Sequence, residues 1–249
     1  MKKLLPLLLA FTLSLLAEDL TIGVGSYFQT QPYKNTSTII TPSPVLFYDN
    51  GIVYARWTCF GVYIYGHKAD KQLHQDYSWG FSLTIQPRPY GYKPSDSTAL
   101  RGLDEKKSSL EGGVAYAISR DDTYLEAMLL TDILRHHNFY IAKVESGLKY
   151  KINEWSFYPS ISLIYESKKF TDYYYGINVQ EANRTIYDLY QPNGGVRAGV
   201  QTYISYPLTK KWSVFFNLHI DRLTNPAKNS PIVSDSYIYS GLASLLYTF

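Results

Sequence analysis

His219 and Asp221 are the pair of residues in this sequence that most resembles catalytic machinery, because they lie two positions apart in the segment KWSVFFNLHIDR. In an extended strand that spacing puts both side chains on one face. With Ser205 or Ser213 nearby, they could form a Ser/His/Asp hydrolytic site. No glycine-flanked serine motif accompanies them, and polar side chains inside a membrane barrel give the same pattern. We therefore predict no catalytic residue and no enzymatic activity.

The other histidines and the single cysteine give little indication of a metal site. His136 and His137 lack a carboxylate at a metal-ligand spacing. Cys59 is the only cysteine, so it can form neither an internal disulfide nor a cysteine cluster. One predicted turn combines two histidines with two aspartates, namely His67, Asp70, His74 and Asp76. This combination is weak, and we predict neither a metal nor another cofactor.

The elements that must position these side chains are strands, because the dominant hydrophobic period of the sequence is two. In KWSVFFNLHIDR the apolar residues from Trp212 to Ile220 alternate with a second face that carries His219 and Asp221. GVRAGVQTYISYPL and DYSWGFSLTIQ alternate in the same way. Each run has about 9 to 12 residues, the length with which a tilted strand crosses a bilayer.

This pattern predicts an all-β fold, a closed antiparallel transmembrane β-barrel of 12 strands, with 10 as the alternative number. In hydrocarbon an open sheet edge would leave backbone groups unpaired, so the sheet must close on itself. A secreted β-sandwich is the competing fold, but its strands are typically shorter. The predicted strands are 20–28, 38–48, 51–57, 60–66, 76–87, 108–119, 123–132, 139–151, 154–165, 194–208, 211–224 and 236–249.

The connections between these strands alternate between long and short. Outer-membrane barrels have short periplasmic turns and long outer loops, and Asn50-Gly51 is a strong signal for a tight hairpin. The predicted outer loops are 29–37, 58–59, 88–107, 133–138, 166–193 and 225–235. The predicted periplasmic turns are 49–50, 67–75, 120–122, 152–153 and 209–210. Both chain termini are expected in the periplasm.

The composition agrees with this class. The chain has 25 Tyr, 11 Phe and 4 Trp among 249 residues, and membrane barrels need aromatic girdles at both interfaces. A net charge of +3 is too small to indicate a nucleic-acid partner. A mean hydropathy of −0.20 argues against a helical membrane protein.

The two ends of the chain carry signals for export and assembly. Lys2 and Lys3, an apolar run of about 13 residues and Ala17 predict a signal peptide at 1–17, followed by the barrel at 18–249. In the final segment SGLASLLYTF, Tyr247 and Phe249 are expected to face lipid and to act as the signal for barrel assembly.

Charged residues on the less apolar strand faces are expected to line the lumen: Arg56, Glu111, Glu126, Lys143, Glu145, Lys149, Arg197, His219 and Asp221. Two interpretations stay open. The charges could pair and fill a narrow lumen, or they could line a conduit for small solutes. The tyrosines of the longest outer loop could form an aromatic girdle or a binding surface; they are Tyr173, Tyr174, Tyr175, Tyr187 and Tyr190.

The segment RLTNPAKNSPIVSDSYIYSGLASLLYTF resembles the closing pattern of the MltA-interacting protein (MipA/OmpV) family of outer-membrane proteins. It has an Arg-Leu pair at Arg222 and Leu223, a short polar loop, and the Ser-Pro-Ile-Val block at 230–233. GVGSYFQTQPYKNTSTIITPSPVLFYDNG, LRGLDEKKSSLEGGVAYAI and YGINVQEA are similar to earlier segments of the family, in the same order. Acidic residues that are common in the family's last loop are replaced by Pro226, Lys228 and Asn229.

The resemblance implies a barrel in the outer membrane of a Gram-negative bacterium, acting as an interaction scaffold for enzymes that synthesise or degrade murein. A narrow pore for small solutes is the alternative, and an outer-membrane hydrolase is a third, weaker one. The expected partners are outer-membrane lipid and lipopolysaccharide, the barrel assembly machinery and periplasmic cell-wall enzymes. A monomer without nucleic acid is expected.

Overall fold

The computed structural model describes residues 20–67, 76–88, 91–136 and 138–249. The predicted signal peptide at 1–17 lies outside these residues. Thirteen strands form a single antiparallel sheet, and β10 pairs with β11 to close it. The strands are β1 (Thr21–Gln29), β2 (Ile39–Asp49), β3 (Val53–Arg56), β4 (Cys59–His67), β5 (Tyr77–Arg88), β6 (Ser109–Arg120), β7 (Thr123–Asp132), β8 (Tyr140–Leu148), β9 (Tyr150–Ile152), β10 (Trp155–Glu166), β11 (Gly195–Pro207), β12 (Trp212–Arg222) and β13 (Tyr237–Thr248).

The barrel wall has 12 strands, because β8 and β9 are two parts of one wall strand that pairs with β10 along its length. The predicted closed all-β barrel of 12 strands is therefore confirmed, and the alternative of 10 is not found. The largest departure is the predicted strand 51–57. It has only four paired residues, Val53–Arg56 in β3, so the β3–β4 hairpin is much shorter than its neighbours.

The period of two in the sequence corresponds to the two faces of the wall. Along β12, Leu218 points away from the barrel and is exposed, whereas Phe215 and Asn217 are buried inside. The same is true of other strands, whose exposed outward side chains include Val24, Leu83, Val114, Leu129, Val144, Ile161, Leu163, Val200 and Leu245. A continuous apolar outer surface of this kind is typical of a barrel that sits in lipid.

Most of the long connections lie at one end of the barrel, and most of the tight turns lie at the other; residues 68–75 of the predicted turn 67–75 are outside the described residues. We call the end with the tight turns, such as 121–122 and 153–154, the turn end. The other end is covered by a cap, which consists of residues 30–38, 91–108, 167–194 and 223–236. The cap contains three short helices, α1 (Lys168–Tyr175), α2 (Val179–Asn183) and α3 (Asn225–Lys228), and a 3-10 turn at Thr98–Leu100. Among the described residues, none of the helices has the length and apolar character needed to cross a membrane.

Candidate functional site

The lumen is divided into an apolar wall and a polar wall. On the apolar wall, Val45, Phe215, Leu242 and Leu246 are buried together. Phe47 packs edge-on against Phe215, with ring centroids 5.1 Å apart. Leu242 and Leu246 break the alternation of small and hydroxylated residues in β13 because they fill this side of the lumen. The side chains of the apolar wall are therefore part of a packed interior and do not line an aqueous channel.

The polar wall carries a central charged cluster at the middle of the barrel. Lys143 Nζ lies 2.7 Å from Glu145 Oε2, and Glu145 Oε1 accepts hydrogen bonds from Tyr124 OH at 2.6 Å and Gln201 Nε2 at 3.0 Å. These bonds come from strands β7, β8 and β11. They fix Glu145 in the lumen from several sides.

Arg56 occupies the opposite side of this cluster and is partly accessible to solvent. Its guanidinium lies 3.6 Å from a carboxylate oxygen of Glu126 and 3.6 Å from one of Asp49. Arg56 Nη2 donates to Tyr63 OH at 2.9 Å, and Tyr63 OH donates to Asp49 Oδ2 at 2.7 Å. The arginine side chain remains 46% exposed, so protein atoms do not completely fill this part of the lumen.

A second cluster lies directly beneath the cap. Arg197 Nη2 lies 2.6 Å from Glu166 Oε1, and Arg197 Nη1 lies 3.7 Å from Asp221 Oδ2. His219 Nε2 lies 3.3 Å from Asp221 Oδ1. Arg197, Glu166 and Asp221 are almost completely buried. Charges in such a position must be paired, because an isolated buried charge costs several kcal/mol.

Arg88 and Glu111 form a further buried ion pair beneath the cap. Gln86 Nε2 also donates to Glu111 Oε2 at 2.7 Å, and the Arg88 guanidinium stacks 4.8 Å from the centre of the Phe170 ring. Phe170 belongs to α1, so the barrel charges and the cap are packed against each other.

The cap has its own hydrophobic core. Tyr33, Leu100, Phe170 and Ile232 are among its fully buried members. Ser230 Oγ donates to the Tyr175 carbonyl at 2.6 Å. Val233 pairs with Tyr33 in an isolated β-bridge. The Ser-Pro-Ile-Val block in loop 223–236 therefore connects that loop to loop 30–38 and to loop 167–194.

Charged residues of the cap, among them the buried Lys106 and Glu181, hold two of its loops together. Lys106 Nζ and the backbone N of Asp104 both approach Glu181 Oε1, at 3.0 and 2.9 Å. Glu181 also completes a capping box with Asn178 at the start of α2. Arg184 pairs with Asp104. These contacts connect loop 91–108 to loop 167–194 across the barrel opening.

The positions of the tyrosines in loop 167–194 match neither interpretation of the sequence, the aromatic girdle or the binding surface. Tyr174 and Tyr175 are buried in the cap core, and Tyr173, Tyr187 and Tyr190 pack against it. They form neither an aromatic girdle nor an exposed binding surface, because loop 167–194 folds back over the barrel. Burial raises the pKa of Tyr175 to about 12 and raises the pKa of Tyr33 well above its usual value.

The structure separates the residues of the candidate hydrolytic site. His219 lies opposite Gln201 and Ser240, whereas Ser205 lies opposite Phe215 and Ser213 opposite Pro207. Ser205 and Ser213 are therefore near the turn end, several residues away from His219. No Ser/His/Asp site forms from the residues that the sequence suggested.

The other histidines are placed apart as well. His136 Nδ1 lies 3.0 Å from the Ser108 carbonyl oxygen, and His67 packs beside the Tyr77 ring. His74, Asp70 and His137 lie outside the described residues. The part of the chain that the structure describes has no group of three or more His, Cys, Asp or Glu side chains placed to hold a metal ion.

The remaining predicted residues lie near the turn end. Lys149 is exposed and its Nζ lies 5.7 Å from the centre of the Tyr158 ring. Tyr247 packs edge-on against Trp212 and Phe249. Phe249 N donates to the Leu20 carbonyl at 3.2 Å, so the last residue joins the β13–β1 seam.

Arg88 and Glu166 are two lumen charges that sequence reasoning missed. Both were assigned to the first position of a loop. Glu166 continues the inward series of Ser160 and Ser162 in β10, and Arg88 continues the inward series of β5. Extending each predicted strand by one residue would have placed the Glu166 carboxylate and the Arg88 guanidinium inside the barrel.

Comparisons with known proteins agree with the sequence resemblance. The chain is 27% identical over 231 residues to the MltA-interacting protein of Escherichia coli strain K12, which covers 92% of this chain and 89% of that protein. It is 24% identical over 243 residues to the putative outer membrane protein YiaT of the same strain, covering 97% and 95% of the two chains. It is 22% identical over 158 residues to the outer membrane protein OmpV of Vibrio cholerae, covering 64% and 61%. The model of the family "MltA-interacting protein MipA" matches residues 22–249, and the chain belongs to that family.

Proposed function

We propose that this protein is an outer-membrane interaction scaffold that holds a periplasmic cell-wall enzyme at its turn end. The apolar outer surface of the barrel supports a place in a membrane, and the names of the relatives support the outer membrane. In this proposal the barrel is a monomer without catalytic activity. It is inserted by the barrel assembly machinery and surrounded by outer-membrane lipid and lipopolysaccharide.

The closed cap is the observation that carries this proposal. A pore needs a continuous aqueous path, whereas the cap covers one end of the barrel with a hydrophobic core. Beneath it, the ion pairs of Arg197 with Glu166 and of Arg88 with Glu111 are almost completely buried. A barrel that is blocked in this way is better suited to binding a partner than to conducting solutes.

The turn end is the proposed docking surface. Short turns of outer-membrane barrels face the periplasm, where cell-wall enzymes act. Two neighbouring connections at this end, between β8 and β10 and between β11 and β12, carry an exposed lysine group. The lysine group consists of Lys149, Lys151, Lys210 and Lys211. Charged rim residues of this kind accelerate association with an oppositely charged partner.

The name of the Escherichia coli relative supports a lytic transglycosylase of the MltA type as the partner. We expect the detergent-purified barrel, immobilised on a sensor surface, to capture the MltA-type enzyme of its own organism. An unrelated outer-membrane barrel on a parallel surface is the control. Equal signals on the two surfaces would overturn the scaffold proposal.

A narrow pore is the second candidate, because protein atoms do not fully cover Arg56 in the central cluster. Planar bilayers containing the purified protein separate the two candidates. The scaffold proposal predicts no single-channel steps. Reproducible steps of uniform size, which disappear when the protein is heat-denatured, would establish the pore.

A further inference from the structure

The wall of the barrel is incomplete beside β2. The short strand β3 pairs only with Phe47–Asp49 of β2, and Trp57 N donates to the Leu46 carbonyl at 2.8 Å as the last bond on that side. The other side of β2 pairs with β1 from Ile39 to Phe47. Among the described residues, no strand pairs with residues 39–45 on the β3 side. We call this gap between β2 and β5, above the tip of the β3–β4 hairpin, the lateral opening.

The lateral opening lies at the level of the apolar outer surface. The β1–β2 register places Pro44 beside Val24 and Ile40 beside Phe28, and both β1 residues are exposed on the outside of the barrel. Seven residues of strand correspond to about 23 Å. In hydrocarbon, each unpaired backbone group along such an edge costs several kcal/mol.

The edge of β2 contains few groups that need a partner. Because the Leu46 carbonyl points toward β3, every second residue of β2 points its backbone groups the same way. Two of these residues are Pro42 and Pro44, which have no N–H. Thr41 Oγ1 donates to the Pro42 carbonyl at 3.4 Å, and Ser43 Oγ donates to the Pro44 carbonyl at 3.3 Å. The edge therefore offers almost no donor to a passing strand.

This chemistry excludes a protein strand as the occupant, because strand addition relies on main-chain hydrogen bonds. It favours an apolar chain. Ile40 is 73% exposed at the rim, and Pro42 and Pro44 are exposed beside it. An acyl chain in contact with these residues loses no hydrogen bond.

The interior behind the rim can be reached through the lateral opening. Thr41 points inward yet is exposed, whereas Gln29, an inward residue of the neighbouring β1, is buried. The hairpin tip places Trp57 at the floor of the opening, with a left-handed backbone (φ 53°). Its ring packs edge-on against Tyr27 with centroids 6.0 Å apart, and its Nε1 donates to Ser43 Oγ at 3.2 Å.

We propose that the lateral opening binds an acyl chain of a membrane lipid, which enters between β2 and β5 and contacts Tyr27 and Trp57. The site rests on the proposed membrane location but is independent of any enzyme partner. The proline edge keeps the wall open, and the aromatic pair forms an apolar floor. The ligand class is therefore a membrane lipid, recognised through its hydrocarbon chain.

Photolabelling of the barrel in liposomes tests this site. The liposomes contain phosphatidylcholine and a small fraction of phosphatidylcholine with a diazirine on one acyl chain. After illumination, adducts are mapped by mass spectrometry of peptides. We expect adducts on the inward-facing Thr41, Tyr27 or Trp57, and no adducts on Ser162 and Ser244, which point inward behind a complete wall.

The outward residues Val24 and Leu218 report membrane insertion in the same experiment. Adducts on these two with none on Thr41, Tyr27 or Trp57 would overturn the lipid site while leaving the membrane location intact. No adducts on Val24 and Leu218 would overturn the membrane location and the site together.

A matched pair of variants tests the route. Thr41→Trp fills the lateral opening, so the adducts on Tyr27 should be lost. Thr202→Trp puts the same side chain on the outward face of β11 and should leave the adducts on Tyr27 unchanged. Unchanged labelling of Tyr27 in Thr41→Trp would contradict entry through this opening.

Discussion

At the scale of single residues, the charges inside the barrel depend on their protein neighbours for stabilisation. Arg197 lies between Glu166 and Asp221, and all three are almost inaccessible to water. Lys149 represents the other case, because its side chain is exposed at the turn end, where Nζ lies 5.7 Å from the centre of the Tyr158 ring. A buried charge of the first kind has a large effect when its partner is removed, whereas an exposed one has little.

Arg197→Met should lower the free energy of unfolding by about 3–5 kcal/mol, because it leaves two buried carboxylates without their counter-ion. Reversible urea unfolding in phospholipid vesicles measures this change. Lys149→Met is the matched control and should cost about 1 kcal/mol or less. Equal losses in the two variants would contradict the role of Arg197 as a buried counter-ion.

At the scale of elements, each strand has a lipid face and a lumen face. Leu218 lies near the middle of β12 and is exposed on the outside. Leu218→Arg should therefore cost about 2–4 kcal/mol in a bilayer. Leu208→Arg makes the same change in a turn that is exposed at the turn end and should cost less than about 1 kcal/mol. Comparable costs in vesicle unfolding would show that the strand register is wrong.

The strands were predictable from the sequence, whereas the cap was not. A period of two determines which side chains share a face, so the inward positions of Glu145, Arg197 and Asp221 follow from local pattern alone. The burial of Tyr174 and Tyr175 depends on contacts with residues that are distant in the sequence, such as the hydrogen bond from Ser230. No local period encodes that packing.

The short β3–β4 hairpin was visible in the sequence only as a problem of length. Residues 51–66 are too few for two full-length membrane-spanning strands. In the structure β3 is short, and part of the wall beside β2 is open. Pro42 and Pro44 were a usable signal, because proline inside a strand indicates an edge that has no neighbour. The period-two pattern does not reveal which side of β2 is unpaired.

The cap should open at alkaline pH because of its buried tyrosines. Burial raises the pKa of Tyr33, Tyr92, Tyr174 and Tyr175. Below pH 10, the usual pKa of tyrosine, these phenols are protonated in both the closed and the open cap, and their burial stabilises the closed form fully. Between pH 10 and about 12, the value for Tyr175, tyrosines of the open cap ionise first. The closed form then loses up to about 1.4 kcal/mol per tyrosine and pH unit.

Spin labels measure this opening. In a Cys59→Ser background, a nitroxide on Lys228→Cys lies on the cap, and one on Lys210→Cys lies at the turn end. We expect the label on the cap to become more mobile between pH 10 and 12, while the label at the turn end keeps its mobility. Equal changes at both labels would indicate unfolding of the whole barrel, and no change at either would contradict the burial of the tyrosines in the cap.

At the scale of the whole molecule, the proposed function requires a particular orientation in the outer membrane. A membrane-impermeant maleimide should label Lys228→Cys on intact cells, because the cap is expected outside. Lys210→Cys should be labelled only after the outer membrane is permeabilised. Both variants carry Cys59→Ser. Labelling of Lys210→Cys on intact cells would reverse the orientation.

The three scales combine in one arrangement. The cap packs on the barrel through contacts such as that of the Arg88 guanidinium with the Phe170 ring. It closes one end of the barrel, and the opposite end presents tight turns and the lysine group. The lateral opening in the wall adds a contact with lipid. In the proposed function the turn end binds the cell-wall enzyme, and the cap closes the other end.

The most direct test of this account is capture of the MltA-type lytic transglycosylase by barrels that are blocked at one end. Lys210→Cys and Lys228→Cys, each in the Cys59→Ser background, are coupled to a large polyethylene-glycol maleimide and immobilised in detergent. The account predicts that the polymer at Lys210→Cys abolishes capture and that the polymer at Lys228→Cys leaves it unchanged. Loss of capture with the polymer on the cap, and full capture with the polymer at the turn end, would contradict it.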